Sequence, residues 1–167
     1  MTDANDPGVV GDPHNLTRFV QAQEGSYELG SYEQALSEIR SGRKRSHWMW
    51  YIFPQFDGLG TSSNSKRYSM KNLAEAEAYL RHPVLGPRLV ECAEAALRIQ
   101  GRTALAVFGS TDDKKLRACA TLFAHVSPPG SAFHQLLDKH FQGRRDDKTL
   151  RLLAIAEVNL VDREDLT

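Results

Sequence analysis

Both tryptophans of the chain, Trp48 and Trp50, stand among basic, hydroxyl and amide side chains between Arg43 and Ser69. That stretch also holds two of the five tyrosines, two of the seven phenylalanines and five basic residues, a mixture of ring area and charge suited to a ligand. Ser46, His47, Gln55, Thr61, Ser62, Ser63, Asn64 and Ser65 place donors and acceptors beside the rings. Hydroxyls and backbone amides of a Gly58-Leu59-Gly60-Thr61-Ser62 loop can converge on an anion, with Arg45 and Lys66 supplying charge. An aromatic wall next to such donors suits a planar, phosphate-bearing metabolite, a nucleotide or an ADP-ribose derivative.

In that reading the binding residues are Arg45, Ser46, Gln55, Gly60, Ser62, Ser65 and Lys66, and Trp48 or Trp50 stacks the base. His47 is the candidate acid–base group, because an imidazole titrates near neutrality without help. A plainer reading stands beside it. Trp48, Met49, Ile52 and Phe53 can anchor a core, since aromatic side chains bury the most area per residue. The loop serines can satisfy turns, and His47 can pack beside Trp50.

Other chemistries find little support. The chain has no phosphate-binding G-x-x-x-x-G-K-[ST], no dinucleotide G-x-G-x-x-G, no H-E-x-x-H and no G-x-S-x-G; Phe108-Gly109-Ser110 lacks the first glycine of a nucleophile elbow. The six histidines include no i,i+4 pair and no His/Cys pair at zinc spacing, so neither metal nor other cofactor is expected. Cys92 and Cys119 fall on apolar helix stripes and read as small core-filling thiols. Asp112-Asp113-Lys114-Lys115 is a second polar cluster, whose acids suit a helix start.

Punctuation along the chain predicts the elements that carry these residues. Asp12-Pro13 opens a helix that ends at Gly25. Ser31 with Gln34 caps a second, stopped by Gly42. Ser46 reads as the cap of a short helix through Phe53, and the segment 54–65 as a polar loop. Asn72 with Glu75 opens the next helix, and His82-Pro83 breaks it and starts a longer one to Gln100. Leu105 to Phe108 is a strand or a helical turn. Ser110 with Asp113, and then Ser131, cap two more helices, and a last one runs from Asp146 to Glu157. The expected fold is all-α: one domain over residues 12–160 with seven to nine helices, between a flexible tail at 1–11 and a tail at 161–167.

At 167 residues the chain is long enough for one real core. Its 21 basic and 21 acidic residues cancel, which counts against a general phosphate-gripping nucleic-acid binder and leaves room for a local basic patch. No apolar run approaches the ~20 residues that span a bilayer. The polar, acidic start lacks the pattern of a secretory signal, so the expected compartment is the cytoplasm.

The run GRKRSHWMWYIFPQ at 42–55, followed by Gly58-Leu59-Gly60, joins HPVLGPRL at 82–89, FGSTDDKKL at 108–116 and Thr121-Leu122-Phe123 as distinctive segments. In these the chain resembles an uncharacterised, mostly bacterial, mainly helical family often labelled calpastatin. The resemblance implies a helical fold and carries no catalytic residues with it. Calpain inhibition belongs to a disordered, repeat-built chain, whereas this sequence is one of capped helices. The expected function is a small enzyme or binding protein for a phosphate-bearing metabolite. Two alternatives are a single-stranded nucleic-acid-binding module, gripping bases between aromatics and cations, and a non-catalytic interaction domain with exposed aromatics.

Overall fold

Side-chain caps set most helix starts in this chain. In the computed structural model, which describes residues 11–25 and 30–165, with side chains to 161, Ser31 Oγ accepts from Gln34 N and opens α2 (Tyr32–Arg40). Asn72 Oδ1 does the same for Glu75 N at α5 (Leu73–Arg81), and Ser131 Oγ for His134 N at α9 (Ala132–Phe141). Asp12 accepts from the amides of Leu16 and Thr17, both at 2.7 Å, and so leads into α1 (Thr17–Gln23). His82 Nδ1 accepts from Val84 N and Leu85 N and opens α6 (Leu85–Leu97). Each cap satisfies amides that a helix start leaves without partners.

The remaining helices are α3 (Met49–Ile52), α4 (Ser63–Arg67), α7 (Ala104–Phe108), α8 (Asp112–His125) and α10 (Asp147–Asp165). The described residues therefore form an all-α fold of ten helices, the single turns α3 and α4 included. The one strand-like feature among them is an isolated bridge between Phe56 and Met70. The predicted tail at 1–11 lies, up to residue 10, outside the described residues. At the other end, α10 continues past the predicted stop at Glu157. No helix among the described residues is long and apolar enough to cross a membrane.

Helix α6 packs against α2, α5 and α9, and α8 against α7, α9 and α10. The sharp α5–α6 corner needs Gly86, where a Cβ would come within 2.1 Å of the Leu80 carbonyl oxygen. Residues 118–124 of α8 are all buried, so this helix runs through the core. Cys92 and Cys119 are buried and unpaired, and burial pushes both thiols up, Cys92 to about 12. They fill space as the sequence predicts.

Candidate functional site

Ser46 does not cap a helix. Its hydroxyl donates instead to Glu38 Oε2 at 2.8 Å, because Glu38, eight residues earlier on α2, gathers the whole turn. Glu38 Oε1 accepts from Arg45 N at 2.6 Å, Ser46 N at 2.8 Å and Trp48 Nε1 at 3.0 Å. Burial pushes this carboxyl up, but the hydrogen bonds outweigh burial and hold it below the usual carboxylate range. Trp48 is fully buried, packed on Phe53 and Phe108 with the Lys44 ammonium 4.9 Å from its ring centre. No face of Trp48 is left for a base to stack on. Arg45 enters this knot through its backbone, and its side chain is exposed.

Trp50 stands differently. Together with Gln55, Gly60 and Ser65, all predicted site residues, it lines a small cavity closed by Phe56, Leu59 and Tyr68. The volume, about 10 Å³, admits one water-sized group. The Trp50 indole N–H is buried and has no hydrogen-bond partner. An orphaned buried donor of this kind costs about 1–3 kcal/mol. Neither the Leu59 nor the Gly60 amide donates to an acceptor among the described residues. Gly60 is required by close approach, since a Cβ there would lie 2.5 Å from Ser65 Oγ.

The outer side of Trp50 meets α8. Lys115 Nζ lies 5.0 Å from the Trp50 ring centre and 3.3 Å from Asp112, and Asp112 in turn pairs with Lys44 at 2.9 Å. Two runs more than fifty residues apart thus meet across the two tryptophan rings. The segment before α8 is irregular where the sequence predicts a Ser110 cap. Thr111 holds φ +79° and ψ −53°, a costly conformation for a β-branched residue, and α8 begins at Asp112 with no side-chain cap. Asp113 Oδ1 is a second buried polar atom without a partner.

The other predicted site residues lie elsewhere. His47 is exposed and outside the cavity lining, so it touches no group held there. Ser62 caps α4, accepting from Ser65 N at 3.1 Å, and α4 replaces part of the predicted loop. Lys66 belongs to a separate groove with Arg18 and Lys71. Glu38, Arg18 and Lys115 escape sequence reasoning because each also acts through partners beyond a helical turn: Trp48 ten positions from Glu38, Glu75 fifty-seven from Arg18, and the Trp50 ring against Lys115. The only local signal was the signature run around Asp112 to Lys115. Among the described residues no three His, Cys, Asp or Glu side chains gather as a metal site would require.

No curated protein matches the chain. It is similar to the crystal structure of a conserved hypothetical protein, Rv1873 from Mycobacterium tuberculosis, at 45% identity and a TM-score of 0.81. That match covers 86% of this chain and 99% of the other. The family model described as Protein of unknown function (DUF1810) matches residues 13–153. Since that span runs from the α1 entry into α10 and includes both runs that meet at Trp50, the chain belongs to the DUF1810 family.

Proposed function

We propose that this protein is a small cytosolic binding protein or enzyme for a phosphate-bearing metabolite, a nucleotide or ADP-ribose-like molecule, and that one phosphate oxygen enters the Trp50 cavity. One observation carries the reading: Trp50, whose buried indole N–H has no hydrogen-bond partner among the described residues, lines this cavity. An anionic oxygen accepts from such a donor more strongly than a neutral one does. A cavity of this size takes only the tip of the ligand, so the remainder lies outside it. Single-strand binding has less support, because it needs open ring faces. Trp48 offers none, and Trp50 already carries Lys115. A contact patch of exposed aromatics meets the same objection, and calpain inhibition finds no support in a folded core of capped helices.

The test is titration calorimetry with ADP-ribose, nucleotides and inorganic phosphate. Trp50→Phe keeps the ring and removes the donor, and should weaken binding roughly 10- to 100-fold, the scale of one charge-assisted hydrogen bond. Gly60→Ala, whose Cβ would lie 2.5 Å from Ser65 Oγ at the cavity wall, should weaken it comparably. His47→Ala should leave affinity unchanged. Equal affinity in wild type and Trp50→Phe, or no binding of any phosphate-bearing compound, would overturn the reading.

A further inference from the structure

Each tryptophan ring carries one lysine ammonium, and the two lysines share one acid. Lys44 Nζ lies 4.9 Å from the Trp48 ring centre, and Lys115 Nζ 5.0 Å from that of Trp50. Asp112 pairs with both, at 2.9 Å and 3.3 Å. The two indoles differ in what their N–H groups meet. Trp48 donates to the Glu38 carboxylate at 3.0 Å, whereas the buried Trp50 N–H has no partner among the described residues. The same pairing of ring and cation thus occurs twice, completed once by an anionic oxygen and once by nothing.

The local charge favours an anion as the missing group. One carboxylate between two ammoniums leaves the trio with one positive charge, and the side chains of Lys44, Asp112 and Lys115 are only 7%, 21% and 20% exposed. Asp113 and Lys114, the next residues of α8, carry opposite charges and so leave that excess unchanged. Among the described residues no carboxylate lines the cavity, and Asp57 beside it is held by Ser69 Oγ at 2.8 Å and Lys71 at 3.2 Å. A cation over an indole face draws on the ring electrons and leaves the N–H hydrogen more positive, and partial burial weakens solvent screening.

We propose that Lys115 sets the charge preference of the Trp50 site. Held over the ring by Asp112, it makes the indole N–H a donor for an anionic oxygen in preference to a neutral one. Lys115 is not part of the cavity lining, so it acts through Trp50 as a positioning residue. The inference rests on the reading of the cavity as an anion site and adds the residue that selects the anion.

NMR of the indole N–H groups in the full chain tests it, the Trp50 signal being the one missing from Trp50→Phe. The probes are inorganic phosphate and the isosteric pair acetate and acetamide, one charged and one neutral. In wild type, phosphate and acetate should shift the Trp50 signal saturably, and acetamide should bind about tenfold more weakly than acetate. In the uncharged variants Lys115→Met and Lys115→Gln that ratio should fall towards one. Their ligand-free Trp50 signal should move while the Trp48 signal stays in place, which a general loosening of the fold would not produce. Lys115→Arg should keep the wild-type ratio. Equal binding of acetate and acetamide to wild type, or an unchanged ratio in both uncharged variants, would overturn the inference and leave the anion reading standing. Binding of acetate without phosphate would overturn the phosphate reading alone. No binding of either anion would overturn both.

Discussion

Glu38→Ala should destabilise the protein by about 3–5 kcal/mol, the scale of removing one member from a buried charged network. The substitution leaves the amides of Arg45 and Ser46 and the Trp48 indole N–H inside the fold without an acceptor. Urea unfolding reads the loss as a lower midpoint at unchanged slope, and thermal unfolding as a drop of roughly 6–20 °C. Glu38→Gln retains an oxygen for those donors and should cost clearly less. The pH dependence follows from the lowered carboxyl. A carboxylate with a depressed folded pKa contributes its full stability above its unfolded value, near 4.5, and loses it as pH falls through the folded one. The gap between wild type and Glu38→Ala should therefore narrow in acid below that point. A cost under about 1 kcal/mol at neutral pH would show that the turn finds other acceptors.

The second large effect is expected at Arg18. Its guanidinium holds Glu75 and four backbone carbonyls, so one side chain ties α1 to α5 and to the end of α4. Arg18→Met leaves Glu75 charged, unpaired by any cation and nearly sealed from water, at a cost of about 3–5 kcal/mol. Arg18→Met with Glu75→Gln removes the stranded charge and should recover more than about 1 kcal/mol of that loss. Additive losses in the double variant would mean that the carboxylate finds water once the arginine is gone.

These two residues also mark where reading the sequence stops. Local rules place the helices well, because a cap and the amide it satisfies lie within about four positions: Ser31, Asn72 and Ser131 all act as their spacing predicts. The same rule misplaces Ser46, since an acceptor eight residues back competes for its hydroxyl. Ser110 fails for a related reason, the strained Thr111 having taken over the start of α8. The predicted ligand segment divides for a geometric reason. Consecutive helix positions are turned about 100° from one another, so Ser65 faces a cavity while Lys66 faces a groove. Trp48 and Trp50 likewise separate into a core residue and a cavity residue, a difference that composition alone does not reveal. Trp50, Gln55, Gly60 and Ser65 are the predicted residues that come together.

That division also equips the chain with two optical reporters. Its only indoles are Trp48, sealed beneath Lys44 in the core, and Trp50, at the cavity wall beneath Lys115. Trp48 emission should change only when the core opens, whereas Trp50 emission should respond as soon as its N–H gains an acceptor. With Trp50→Phe as the background, intrinsic fluorescence follows unfolding alone, and the difference from wild type is the spectrum of an occupied cavity.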